Sequence, residues 1–160
     1  MYISSKSYPY LPVGREIKYL PESDPFLQLA KKVRESSTDD NHSTGAIVVK
    51  NGQVLGQGAN QSALKSKKLR EFHIKYFCVR RFFKIPSGQK YWLCPGCANF
   101  GSHAEAKAIK DAVKKNNGIN GADLYLYGHW WCCKPCWDKM ILAGIKNVYL
   151  AEGATEKFSR

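Results

Sequence analysis

The chain has 160 residues, 44% of them hydrophobic, with six Cys and a formal net charge of +12. These values fit one globular domain with room for a core, and they exclude a disordered chain and, since no apolar run nears bilayer length, a membrane-spanning one. The opening "MYISSKSYPYLPVGREIKYL" lacks a continuous apolar core, so the expected address is the cytoplasm, where six Cys suit metal ligands or a nucleophile better than disulfides.

Residues 1 to about 22 have no clear period and read as an extended arm, followed by a single domain over 23–160. "SDPFLQLAKKVRESS" predicts a helix: Asp24 or Ser23 can cap it, Pro25 suits its first turn, and Phe26, Leu27, Ala30 and Val33 form a buried stripe. "TGAIVVKNGQVLGQGAN" predicts a hairpin turning on Asn51-Gly52. A basic, Cys-containing insert follows over 61–100, with "IPSGQ" and "CPGC" as turns.

Next comes a helix in "SHAEAKAIKDAVKKNNG", with Ser102 as its cap, an apolar face of Ala104, Ala108, Ile109, Ala112 and Val113, and Gly118 at its end. "ADLYLYG" reads as a strand, "CKPCWDKMILAG" as a helix with Pro135 in its first turn, and "IKNVYLA" as a final strand. Helices and strands in this alternation predict a three-layer α/β/α arrangement around a mixed central sheet.

Charge is uneven along the chain. From Gln61 to Lys90 the basic residues are Lys65, Lys67, Lys68, Arg70, Lys75, Arg80, Arg81, Lys84 and Lys90, against the single acid Glu71. Such a run favours an anionic partner, a phosphorylated small molecule or nucleic acid.

Cys133 and Cys136 form a C-x-x-C at a helix start, where unpaired N–H groups and the helix dipole favour thiolate. His103, at the start of the other helix, can supply a third ligand for zinc. Three protein ligands leave one position open, the catalytic pattern. Glu105 lies two residues past His103 and would sit by that open position, able to take a proton from water and deliver it to a substrate. H-x-E followed by P-C-x-x-C is the signature of zinc nucleobase deaminases. Here Cys132 replaces the Pro and is the surplus thiol, a small buried residue, because its spacing to Cys136 is wrong for the pair. Trp130 and Trp131 could line the base pocket or pack in the core.

In the insert, His73, Cys78, Cys94 and Cys97 supply four donors, enough for a second, structural zinc that would order a polar loop.

The stretches "FCVRRFFKIPSGQKYWLCPGC…SHAEAKAI" and "GADLYLYGHWWCCKPCWDKMILAGIKNVYLAEG" resemble the deoxycytidylate (dCMP) deaminase branch of the cytidine deaminase-like superfamily, from about Phe26 to Gly153. The resemblance implies the cytidine deaminase-like fold and hydrolytic deamination of a cytosine nucleotide, most simply dCMP to dUMP with release of ammonia. It implies a catalytic Zn2+ held by His103, Cys133 and Cys136, with Glu105 as the proton shuttle. Asn60 would touch sugar or base, Arg80 or Arg81 a 5′-phosphate, and Ala104 and Trp131 would line the substrate site. Assembly into a homo-oligomer is common among deaminases of this fold. The chain departs from the pattern at Lys107 and Gln61, where the branch usually has Asn and Gly, and at Cys132. Two alternatives stay open: deamination of a base in RNA or single-stranded DNA, which the charge and the insert aromatics (Phe72, Tyr76, Phe77, Phe82, Phe83, Tyr91, Trp92) would serve, and a non-catalytic zinc-stabilised nucleic-acid-binding module.

Overall fold

The computed structural model describes residues 9–86 and 89–159. Residues 1–8 of the expected arm, and 87–88 of the "IPSGQ" turn, lie outside that range.

Five strands form one sheet in the order β1-β5-β4-β2-β3, with β1 Ile17–Leu20, β2 Gly45–Lys50, β3 Gln53–Ala59, β4 Asp123–Tyr127 and β5 Val148–Ala151. β1, β5 and β4 are mutually parallel, whereas β2 is antiparallel to both β4 and β3. The mixed sheet expected from the alternation is therefore present. β1 was not expected: it lies inside the stretch read as an arm and pairs with β5 from Ile17↔Val148 to Leu20↔Ala151. A four-residue strand with polar neighbours carries too little pattern to be seen alone; its partner, 131 positions away, makes it a strand.

Local chemistry explains the elements that were anticipated. Helix α1 (Pro25–Arg34) is capped by Asp24, whose carboxylate accepts from Phe26 N–H (2.9 Å) and Leu27 N–H (3.1 Å). Leu27 and Ala30 are buried, while Phe26 and Val33 flank them half-buried. The β2–β3 hairpin turns through Asn51 (φ 52) and Gly52 (φ 77), both left-handed, which matches the twist of the strands it joins.

α1 covers one face of the sheet with Ile47, Val49, Tyr125 and Tyr127. The other face carries α4 (Ala104–Lys115) and α5 (Lys134–Leu142), packed on Ala46, Val48, Leu124, Leu126, Val148 and Leu150. This makes three layers. In β4, alternate side chains serve opposite faces and all but the first are buried. Leu124 and Leu126 alone remove enough apolar surface to contribute roughly 1.5–3 kcal/mol each. α4 approaches β3 closely because Gly56 and Gly58 lack side chains; a Cβ on Gly58 would stand 2.5 Å from the Ala108 nitrogen. The apolar face of α4 ends at Ala112, since Val113 points outward and is 51% exposed.

The insert contains two helices that its polar sequence did not announce, α2 (Lys67–Lys75) and α3 (Val79–Phe82). A short α6 (Ala154–Phe158) follows β5 and sets Phe158 edge-on to Tyr127 at 5.5 Å. No helix among the described residues is long and apolar enough to cross a membrane.

Candidate active site

β3 and β4 are both antiparallel to β2 and so run the same way; α4 leads into β4 after β3, and α5 leads from β4 to β5, so both helices begin at the edge of the sheet where β3 and β4 end. Their first residues therefore face each other. His103 occupies the N-cap position of α4, where Ser102 was expected, and Cys133 that of α5, without side-chain capping bonds, which leaves both side chains turned to each other. His103 Nδ1 lies 3.5 Å from Cys133 Sγ and 3.4 Å from Cys136 Sγ. The three donor atoms all fall within 4.8 Å of one another. Zn–S bonds of about 2.3 Å and Zn–N bonds of about 2.0 Å imply tetrahedral S···N edges of about 3.5 Å, so this donor set fits zinc.

Two thiols this close cannot behave alike. The hydrogen bond with Cys136 draws the Cys133 thiol down to about 5, against burial and with help from His103. The same hydrogen bond, with burial, pushes Cys136 up. Burial lowers His103, but its hydrogen bond to Cys133 and the field of Glu105 outweigh that and raise it.

Glu105 occupies the first turn of α4 and is only 5% exposed. Burial raises its carboxyl above the usual range, with His103 opposing. A carboxyl whose proton affinity burial raises, beside a candidate metal, can act as acid and base in turn. Cys132 is not in the ligand cluster: it is fully buried, and burial together with the neighbouring Glu105 carboxylate keeps its thiol protonated.

These groups open on a cavity of about 340 Å³ whose wall includes Asn60, Ala104, Glu105, His129 and Trp131. Asn60 is buried, and its amide is already engaged: Nδ2 donates to His42 O (2.7 Å), and Oδ1 accepts from Thr44 N–H (2.8 Å) and the Ser37 hydroxyl. Arg80 and Arg81 reach the cavity wall, but their guanidiniums are turned to the insert's own backbone. Arg80 donates to Gln89 O (3.0 Å) and Pro86 O (2.9 Å) and stacks on Tyr91 at 4.0 Å. Arg81 donates to His73 O (2.7 Å) and to Ile74 O.

His129 carries no spacing or motif signal of its own beside the tryptophans of "GHWW", and only the structure places it in the cavity wall. Its Nδ1 accepts from the N–H groups of Trp130 (3.1 Å) and Trp131 (3.3 Å). Burial, with His42 and His103, pushes it down to about 4, so the ring is neutral near pH 7. Tyr91, one of the insert aromatics, meets His103 edge-on at 4.9 Å.

The insert residues form a second cluster. His73 Nε2 lies 3.2 Å from Cys94 Sγ and 3.8 Å from Cys97 Sγ, and Cys78 Sγ lies 3.8 and 3.7 Å from those two sulfurs. All four donors fall within 4.8 Å of one another. Tetrahedral S···S edges of about 3.8 Å are what zinc requires. α2 delivers His73 and the start of α3 delivers Cys78, so the unanticipated helices are what assemble the cluster.

A three-layer domain with a His-Cys-Cys cluster and a carboxylate at the joined tips of two helices belongs to the zinc deaminase class. Residues 21–152 match the family described as the cytidine and deoxycytidylate deaminase zinc-binding region, and the chain belongs to that family. It is similar to the apo dCMP deaminase of cyanophage S-TIM5 at 22% identity, over 83% of this chain and 86% of that one, with a TM-score of 0.49. It is similar to guanine deaminase from Bacillus subtilis at 18% identity, over 84% and 68%, with a TM-score of 0.46. A structure from work on A-to-I editing by tRNA:A34 deaminases is similar at 20% identity, over 79% and 75%, with a TM-score of 0.45.

Proposed function

We propose that the protein is a hydrolytic deaminase of a cytosine nucleotide, with dCMP as the leading substrate and dUMP and ammonia as products. The observation that carries this reading is the buried Glu105 on the cavity wall beside the His103, Cys133 and Cys136 donors. Those three residues would hold a catalytic zinc, which supplies a Lewis acid that makes a water molecule acidic near neutral pH. Glu105 accepts the proton of the attacking water as the oxygen adds to C4 of the ring. It gives that proton to the ring nitrogen, then takes the second proton from the new C4 hydroxyl and passes it to the amino group, which leaves as ammonia as the C4–N bond breaks and the C4 carbonyl forms. Ala104 and Trp131 bound the base, and Asn60 holds the loop from Ser37 to Thr44 that forms one side of the cavity. His73, Cys78, Cys94 and Cys97 would hold a second zinc; four protein donors close its tetrahedron and make it structural.

A second reading, deamination of a base in single-stranded nucleic acid, is favoured by one surface. Lys67, Lys68 and Lys75 interleave with exposed Leu69, Phe72 and Tyr76 along α2, and Phe82, Phe83 and Trp92 are exposed nearby in the chain. Interleaved cations and aromatics suit a stacked, charged strand.

The test is ammonia release by zinc-loaded protein from dCMP, dCTP, cytidine and a short single-stranded oligonucleotide. Release from dCMP is expected. Release from the oligonucleotide alone would reverse the ranking, and silence on the whole panel would remove the cytosine reading.

A further inference from the structure

We propose that the two metal clusters are coupled: the His73, Cys78, Cys94 and Cys97 site holds the Ala98 carbonyl against His103 and so sets how tightly the His103 site grips its metal. The proposal rests on the reading of both clusters as zinc sites.

The link is short. His103 Nε2 lies 3.2 Å from the carbonyl oxygen of Ala98. A carbonyl can only accept, so Nε2 carries the hydrogen and Nδ1 keeps the lone pair that faces Cys133 and Cys136. Ala98 is the residue after Cys97, an insert donor, and it is buried. Its own N–H reaches Asp39 Oδ2 at 3.4 Å, a long contact that cannot fix the peptide unaided.

The other neighbours of His103 depend on the same cluster. Tyr91, edge-on to the imidazole at 4.9 Å, accepts the Cys94 N–H at 3.2 Å. Arg80, stacked over the Tyr91 ring at 4.0 Å, lies two residues past Cys78. Three insert thiols thus stand one to three residues from the groups that orient His103. Between Gln89 and Ser102 the backbone forms only two single-turn helices, Tyr91–Leu93 and Phe100–Ser102. That segment has little regular hydrogen bonding; Ser62 holds the Pro95 carbonyl and Gln61 that of Ser102, and a cation shared by His73 and the three thiols would tie the stretch between them to α2 and α3. The Ala98 carbonyl is accordingly a positioning group: it acts on the metal through His103 and touches no substrate.

The test removes the insert donors and reads the other site. Cys94→Ser and His73→Asn are made in the full chain, their fold is checked by circular dichroism, and zinc is counted by mass spectrometry of the native protein. Wild type is expected to carry two zinc ions and each variant one. The zinc left in the variants is expected to pass to a chromogenic chelator about tenfold faster or more than the same zinc in wild type, the usual size of an outer-shell effect on metal affinity. Release at the wild-type rate would make the sites independent and overturn the coupling. Wild type that carries one zinc, with Cys78, Cys94 and Cys97 freely alkylated, would remove the second site and the coupling with it while leaving the deaminase reading intact. Should both variants unfold, half-loaded wild type decides the matter by thiol alkylation. Cys133 and Cys136 are expected to be alkylated about tenfold faster or more in chains whose Cys78, Cys94 and Cys97 are open than in chains whose insert thiols are protected. Equal rates in the two populations would sink the proposal.

Discussion

Gly96 lies flat against the ring of His73: a Cβ at position 96 would stand 2.2 Å from His73 Cγ and 2.5 Å from Nδ1. The turn that carries Cys94 and Cys97 therefore closes on the imidazole only because position 96 has no side chain. Gly96→Ala is expected to push His73 out of the cluster, cost about 1–3 kcal/mol as overpacking does, and lower bound zinc by one ion per chain. Thermal denaturation and metal analysis of the purified variant check both effects; full zinc content would show that the ring can give way.

Glu105→Gln keeps the shape of the buried side chain and removes its acid–base capacity. Turnover is expected to fall about 10²- to 10⁴-fold, the usual worth of a positioned general acid–base, with zinc content unchanged. Because burial already disfavours the ionised form, the variant should melt no earlier than wild type. Near-normal turnover in a steady-state assay would remove Glu105 from the proton-transfer role.

Cys132 and Cys136 are both buried thiols in one short stretch, but only Cys136 faces His103. Cys136→Ala is expected to abolish zinc at that site. Cys132→Ala is expected to keep the zinc and cost only about 1–2 kcal/mol for the lost buried sulfur. Metal analysis of the pair, side by side, is decisive; zinc loss from Cys132→Ala would mean the ligand set is misassigned.

Glu22 ties the segment after β1 to α1 and α6, accepting from Lys157 (2.7 Å), Lys31 (2.9 Å) and the Tyr127 hydroxyl. Those partners, Lys157 first, pull its carboxyl from 4.5 down to about 2. A carboxyl depressed by folding stabilises the fold fully above its unfolded value and loses that contribution as pH falls through the folded one. With about a third of the side chain in solvent, the contribution is about 1 kcal/mol or less. Glu22→Gln should lower the melting temperature by roughly 2–4 °C at pH 6, and the gap should narrow between pH 4.5 and 2. A gap that does not change with pH would assign the effect to packing instead.

Much of the site was legible because its chemistry is local. C-x-x-C and H-A-E each lie within one turn at a helix start, so spacing alone brings the donors of each phrase together, and the helix end supplies free N–H groups that favour thiolate. The hairpin at Asn51-Gly52, the Asp24 cap and the mixed sheet were readable for the same reason: each rests on contacts within a few residues or on a period. The insert was less legible. α2 exposes Lys67, Lys68 and Lys75 together with Leu69 and Phe72 and buries only His73, so its apolar residues do not mark an inner face, and a donor cluster rather than a core holds it in place.

The sequence by itself determined the donor types, their spacing and the alternation of helices and strands, since residue identity and short-range backbone geometry settle these. Tertiary structure alone decided that the tips of α4 and α5 meet at the end of β4 and that Ile17–Leu20 joins the sheet. It also turned Arg80 and Arg81 toward their own backbone, set His129 in the cavity wall and laid the Ala98 carbonyl on His103. The helix tips, the β1 pairing and His129 depend on distant segments, fixed only when the whole core packs; the Arg80, Arg81 and Ala98 contacts span only five to nine residues, but in irregular backbone where no repeating geometry favours one partner for a carbonyl or a guanidinium over another.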